Sequence, residues 1–331
     1  MKKQLNILLV GFGYWGKNFY RIIEDKSSFF NLVGIVDENF IYENNESIQN
    51  YPVLNNVYDA IDILDNIDCA IVATPTTTHY EITKVLLNNN IHCLVEKPLT
   101  TSYSEAKELY DLAESNKLKL LVDHTFLYDQ SILELKKIIE NNELGDLLHL
   151  SFERTNLGPV RTDTNAAWDL STHDLSILFA LIDDTPIKVE ANGIALLNKA
   201  NQDIVNISLE FENIFVTLFS SWLHPEKSRI IKVVGDKKMA VWNGLLPDQE
   251  LKIMDKGVEK ENNISDYKIN MFKVKSGIIT IPNIIRSEPL MNVVLDFYKL
   301  IINNEFNVVN SKELTLKIIE TMEKISLSLN K

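Results

Sequence analysis

Cysteine is scarce, with two in 331 residues. Cys69 and Cys93 lie in separate apolar, strand-like runs without CxxC spacing, which excludes a thiolate metal site and a disulfide framework and leaves two reduced core thiols. No metal is expected. Long apolar runs are missing too. "LNILLV" and "CAIVA" are far shorter than the roughly 20 residues of a membrane span. "MKKQLNILLVGFG" has no signal-peptide cleavage site, so the sequence predicts a cytoplasmic protein with no membrane partner. Positive charge is under-represented: 33 Lys and Arg against 46 Asp and Glu leave a net charge of -13, and the resulting repulsion opposes binding to nucleic acid or an anionic membrane surface. A small ligand is the expected partner. There is no linker rich in Gly, Pro or Ser and no internal repeat.

What is present is an ordinary globular composition, 45% hydrophobic and 24% charged, in a chain long enough for two domains. The first third alternates buried-type strands ("LNILLV", "LVGIVD", "CAIVAT", "IHCLVE", "LKLLVD") with helical patterns such as "THYEITKVLLNNN" and "SYSEAKELYDLAESN". The second of these helices opens with a capping box, Ser102 three before Glu105. This grammar predicts an α/β fold with a doubly wound parallel sheet over residues 1–122. Over 123–331 it changes to a helix, "SILELKKIIENN", then longer alternating strands ("LLHLSFERT", "DIVNISLEF", "IFVTLFSSW", "RIIKVVG", "KMAVWN") with a hairpin turn at Glu212-Asn213. The expectation is an α+β domain on a large, mostly antiparallel sheet, closed by the helices "EPLMNVVLDFYKLIINN" and "KELTLKIIETMEKISLSL". The polar stretch 257–282 shows no clear period.

Directly after the first strand, "GFGYWG" sets Gly11, Gly13 and Gly16 in G-x-G-x-x-G spacing. Two glycines admit a tight turn and close approach of a pyrophosphate, the third lets helix and strand pack, and the helix N-terminus supplies amide donors. The second strand ends in Asp37, about 20 residues on, where the ribose-binding acid belongs. Asp37 repels a 2'-phosphate, and Glu38 and Asn39 supply no cation to offset it, so NAD is favoured over NADP. Tyr14 and Trp15 either flank the cofactor or substrate, or pack the first helix.

"VEKPLT" at 95–100, "ATPTTTHY" at 73–80, "WDLSTHDLS" at 168–176 and "EPL" at 288–290 resemble the motifs of the Gfo/Idh/MocA oxidoreductases. The resemblance covers both domains. It implies a Rossmann domain followed by an α/β domain whose open sheet mediates homodimers or homotetramers. It also implies hydride exchange between a nicotinamide cofactor and a sugar, inositol or nucleotide-sugar alcohol. It carries the family's Lys onto Lys97 and its Asp-x-x-x-His pair onto Asp169 and His173. Thr74, Pro75, His79, Glu96 and Lys97 become cofactor contacts, with His79 alternatively a helix cap, Glu96 anchoring the Lys97 turn, and Lys97-Pro98 a candidate cis peptide.

The chemistry of these residues suits that mapping. Removing hydride from a secondary alcohol needs a base for the hydroxyl proton and a donor for the developing oxyanion. His173 titrates near neutrality. Asp169, four residues earlier, shares its helix face and can orient the imidazole or hold a substrate hydroxyl. Lys97 ends a parallel strand, where α/β sheets place ligands. Asp174 reads as structural. Where relatives carry glycines, this chain has "NAAWDL", so Trp168 is placed at the pocket wall. "GYWG", "WDLSTHDLS" and "WLHPEKSR" resemble a subgroup of bacterial surface-polysaccharide synthesis, which implies oxidation of a nucleotide-linked amino sugar or uronic acid, at C3 for example. Arg154, Arg161, Lys227 and Arg229 are either its phosphate or carboxylate contacts or solvated strand-end charges. Two rivals stay open: a free inositol or monosaccharide dehydrogenase, which needs no basic cluster, and a non-catalytic dinucleotide-dependent regulator. His92, His124, His149 and His224 have no assigned role.

Overall fold

The computed structural model describes residues 3–40, 48, 50–197, 199, 201–260, 272–304 and 309–330. Contacts divide the chain into two units, one of Met1–Tyr128 with Ser287–Glu323 and one of Asp129–Arg286 with Lys324–Lys331.

In the first unit β1 (Leu5–Val10), α1 (Tyr14–Asp25), β2 (Phe30–Val36), β3 (Val53–Leu54), α2 (Val57–Ile63), β4 (Cys69–Val72), α3 (Thr76–Asn88), β5 (His92–Glu96), α4 (Tyr103–Ser115) and β6 (Leu120–Asp123) alternate. The strands form one six-stranded sheet in the order β3-β2-β1-β4-β5-β6, every pairing parallel. This is the doubly wound order, with its ligand crevice beyond the strand C-termini. The central strands are largely apolar because both faces are covered: β4 and β6 are buried at every residue. Cys69 and Cys93 are buried free thiols in that core. Ser102 caps α4, accepting from Glu105 N.

The closing helix α7 (Pro289–Asn303) belongs to this unit, as does α8 (Lys312–Leu329) up to residue 323. The expected 123–331 domain assigned both elsewhere. The physical reason is the sheet's apolar flank: Leu290, Val293, Val294 and Phe297 are buried, and Tyr298 stands edge-on to Phe29 and Phe30 while its hydroxyl donates to Lys3 O at 2.7 Å. At about 1.5–3 kcal/mol per buried side chain, this cover is a large part of the unit's stability.

The second unit holds α5 (Gln130–Glu140), β7 (Leu147–Leu157), α6 (Thr172–Leu181), β8 (Lys188–Ile194), β9 (Ile204–Glu210), β10 (Phe215–Ser221), β11 (Leu223–Gly235), β12 (Met239–Asn243), β13 (Leu251–Lys260) and β14 (Phe272–Thr280). Eight strands run in the order β14-β13-β12-β11-β7-β10-β9-β8. All pair antiparallel except β7 with β10. Phe211 N donates to Ile214 O at 2.9 Å across the expected Glu212-Asn213 turn. Of the stretch without a clear period, β13 takes in 257–260 and β14 272–280, and residues 261–271 lie outside the described residues. Helices pack on one face of this sheet: Lys136 Nζ of α5 reaches Ala180 O of α6 at 2.9 Å, and Trp242 Nε1 of β12 reaches Ser131 Oγ at 2.7 Å.

Candidate active site

In the first unit, β1 turns at Gly11, whose φ of 93° lies in the left-handed region that glycine tolerates. A Cβ there would stand 2.5 Å from Ala73 O, and one at Gly16 would stand 2.1 Å from Gly11 O, so both glycines are needed for the close packing of turn, strand and α1. A Cβ at Gly13 would meet nothing within 4 Å. The turn is open at that point, in front of first-turn amides that carry no side-chain cap and no acidic neighbour. Asp37 ties the turn together, Oδ2 accepting from Phe12 N at 2.7 Å and Oδ1 from Asn39 N at 2.9 Å. Each oxygen retains a lone pair for a ribose hydroxyl. A dinucleotide fits this set of residues: open backbone at Gly13, amide donors, and an anchored carboxylate. Tyr14 and Trp15 are 79% and 40% exposed and meet edge-on at 5.4 Å, so neither packs α1 into the core.

The β4–α3 loop carries Thr74, half-buried, and Pro75, exposed. Thr78 Oγ1 lies 2.8 Å from both Thr74 Oγ1 and Pro75 O. His79 is 1% exposed. Its Nδ1 lies 2.8 Å from Pro98 O and its Nε2 2.8 Å from Thr74 O. The expected cofactor contact is therefore corrected: His79 sits behind the loop and braces it against the turn that follows β5, with both ring nitrogens on backbone carbonyls. That turn contains the expected cis Lys97-Pro98 peptide. Lys97 is half-buried, and Glu96 anchors it, Oε2 accepting from Lys97 N at 3.1 Å.

In the second unit, α6 is preceded by one π turn, Ala167–Ser171, a local widening common at functional positions. It holds Asp169, while His173, half-buried, stands in the first turn of α6. The Asp169 carboxylate is fixed from two sides. Trp222 Nε1 donates to Oδ2 at 3.0 Å, and Arg161 Nη1 lies 3.5 Å from Oδ1. Trp222 is fully buried at the junction of β10 and β11; sequence reading missed it because an indole donor has no spacing signature. Trp168 is also buried, and its indole N–H donates to Ser326 Oγ at 3.0 Å. This bond anchors the π turn.

The four cations do not form an open cluster. Arg154 is 4% exposed and places Nε and Nη2 on Asp174 Oδ1 at 2.9 and 2.7 Å, so the expected substrate contact is a structural ion pair. Burial pushes the Asp174 carboxyl up even against the pull of Arg154 and of Arg229, the residue opposite Arg154 on the neighbouring strand. Arg161 forks onto Asp163 at 3.0 and 2.6 Å, which holds the Asp163 carboxyl below its usual range. Lys227 stands exposed on a bulge of β11, in no ion pair among the described residues. No group of three or more potential metal ligands occurs among the described residues.

Comparison with known proteins follows the same division. Residues 5–124 match the oxidoreductase family with an NAD-binding Rossmann fold, GFO_IDH_MocA, and residues 132–241 match the GFO/IDH/MocA C-terminal domain. An uncharacterised oxidoreductase of Schizosaccharomyces pombe is 43% identical over 28% of this chain and 26% of its own. The UDP-N-acetylglucosamine 3-dehydrogenase of Acidithiobacillus ferrooxidans is 31% identical over 40% of this chain and 42% of its own. These first relatives are thus matched over less than half of their length. The scyllo-inositol 2-dehydrogenase (NADP(+)) IolW of Bacillus subtilis is 22% identical over 73% of this chain and 69% of its own. A solved structure of the Acidithiobacillus ferrooxidans dehydrogenase superposes with a TM-score of 0.79 at 19% identity, covering 99% of this chain and 98% of that one; at that identity the likeness is one of fold.

Proposed function

Since the chain belongs to the Gfo/Idh/MocA oxidoreductase family with its NAD-binding Rossmann fold, we propose that it acts on CH–OH groups and oxidises a secondary alcohol of a nucleotide-linked amino sugar or uronic acid, at C3 for example, with NAD. The observation that carries this reading is the doubly fixed Asp169 carboxylate four residues before His173. A fixed carboxylate one helical turn before a histidine, the residue type whose ordinary pKa is nearest neutrality, suits alcohol deprotonation. The A. ferrooxidans relative supports the sugar class.

NAD bound on the Gly11–Gly16 turn and Asp37, with Tyr14, Trp15, Thr74 and Pro75 beside it, supplies the hydride acceptor. His173 takes the hydroxyl proton. Asp169 orients the imidazole or a neighbouring hydroxyl, and Lys97 donates to the oxygen as it becomes a carbonyl. Asp37 underlies the choice of NAD, since a 2'-phosphate would meet its charge. Lys227, with Arg161 and Arg229, receives the anionic part of the substrate. Homodimers or homotetramers in the cytoplasm belong to this reading. A free polyol is the second reading, favoured by the carboxylates that already engage Arg154 and Arg161.

NADH formation measured with UDP-linked amino sugars and uronic acids in parallel with inositols and monosaccharides separates the two. Turnover of a nucleotide sugar at micromolar KM is expected. NADH from free polyols alone overturns the substrate class, and NAD binding without turnover of any polyol points to the regulatory rival.

A further inference from the structure

β5 and β6 end side by side, with Glu96 and Asp123 as ladder partners. Their side chains are 6% and 1% exposed. Between them the two carboxyls have four oxygens; Lys97 N donates to Glu96 Oε2 at 3.1 Å, and Thr125 Oγ1 to Asp123 Oδ1 at 2.8 Å. Among the described residues no donor reaches Glu96 Oε1 or Asp123 Oδ2. Two bare carboxylate oxygens at this depth are costly, and neighbouring parallel strands, about 4.8 Å apart, set the like charges against each other with little water to screen them. A single proton relieves both faults, because it turns one carboxyl into the donor the other lacks.

We propose that Glu96 and Asp123 share one proton and together present a single negative charge to Lys97. Two full carboxylates would fix Lys97 as a tightly held ammonium. One leaves it able to exchange a proton with a substrate alcohol, a consequence that rests on the dehydrogenase reading. The surroundings agree. Burial, with the mutual repulsion of the pair, drives Glu96 well above its ordinary value, and burial pushes Asp123 up to about 6, while the Lys97 charge opposes both. His124, next along the chain, is held neutral by burial, down to about 3. Tyr128, from the turn after β6, gives its hydroxyl to Asp296 of α7 at 2.6 Å and is pushed up by burial and by Asp296, with Asp123 adding to it. The pair titrates as a unit, and at neutral pH it holds one proton.

Glu96→Gln and Asp123→Asn supply an N–H in place of the shared O–H at nearly the same size. Infrared spectra at pH 7 of protein carrying ¹³C-labelled Glu and Asp carboxyls are expected to show one protonated carboxyl band in the wild type and none in either variant. Absence of that band in the wild type overturns the proposal, whether or not the variants fold. The pair's own contribution to stability should also fall as pH rises from 5 to 7, because the folded state keeps a proton the unfolded state has released, opposite in sign to the contribution of His124. The slope of Glu96→Gln should differ from that of the wild type by up to tenfold in the unfolding constant per pH unit, the His124 slope being common to both. Equal slopes overturn the proposal. For the link to Lys97, the pH profile of NADH formation between pH 5 and 8 should shift in Glu96→Gln relative to the wild type, a His173 base contributing equally to both; coincident profiles would remove that link and the proposal with it. If no sugar turns over at all, the dehydrogenase reading fails, and the infrared and stability measurements still decide the shared proton.

Discussion

Trp222 donates its indole N–H to Asp169 Oδ2 at 3.0 Å, so a fully buried aromatic side chain fixes the direction of a half-exposed carboxylate. Trp222→Phe removes the donor and keeps most of the packing. Because a hydrogen bond to a charged group contributes about 1.5–3 kcal/mol, kcat/KM should fall roughly tenfold to a hundredfold, by way of kcat. NAD affinity, measured by calorimetry, should stay within about twofold. Wild-type kinetics in a folded variant would show that Asp169 needs no such support.

Lys97→Ala and His173→Ala should each lower kcat by roughly 10²–10⁴-fold, the range of general acid–base catalysis. Their double variant should lose far less than the product of the single losses, because both act on one proton transfer. Single-turnover hydride transfer measures each. A strictly multiplicative double variant would separate the two roles.

Asp37 makes a testable demand on the cofactor. NAD should bind at least tenfold more tightly than NADP, about 1.4 kcal/mol, and Asp37→Ser should narrow that gap. The same variant removes the acceptor for Phe12 N and Asn39 N, so NAD affinity falls as well. Equal affinities of the wild type for the two cofactors would refute the selection.

His124 sets a limit at acid pH. Burial depresses its pKa from the ordinary 6.5 to about 3, so below pH 6.5 the unfolded chain binds a proton that the folded chain refuses. Its contribution to stability is complete above pH 6.5 and drains away as pH falls towards 3, by at most about 1.4 kcal/mol per unit. His124→Gln should flatten this part of a urea-denaturation profile. A profile unchanged by the substitution would place the acid sensitivity elsewhere.

The cations divide by burial. Arg154→Met removes the hydrogen-bonded cation from the buried Asp174 and should cost about 3–5 kcal/mol of stability. Lys227→Glu should leave the melting temperature unchanged and raise KM for an anionic substrate severalfold. Thermal melts with and without the nucleotide sugar distinguish the two effects.

The parts of this protein that read clearly from sequence are those where burial imposes a period. β1, β4, β5 and β6 are short apolar runs because helices cover both faces. The turn at Gly11 is legible because Gly11 itself and Gly16 have no room for a Cβ. β8 and β14 go unread since they are sheet edges: β8 has no buried residue and β14 presents Val274, Ile278 and Ile279 to solvent, so no alternation is enforced. Residue type announces Arg154 as a cation but says nothing about the carboxylate twenty positions away that neutralises it. The Glu96–Asp123 pair was within reach, since "HCLVE" and "LKLLVD" each end in an acid and neighbouring parallel strands end together.

The first unit is assembled from two pieces of chain, residues 1–128 and 287–323, with the whole second sheet encoded between them. A ribosome therefore finishes β1 to β6 long before it delivers α7, and until then the surface destined for Val293, Val294 and Phe297 lies bare. Nascent chains halted before residue 287 should hold a sheet of incomplete stability that recruits chaperones. Adding the 287–330 segment as a separate peptide should restore protease resistance to such a fragment, making this protein a natural candidate for reconstitution from two complementing halves.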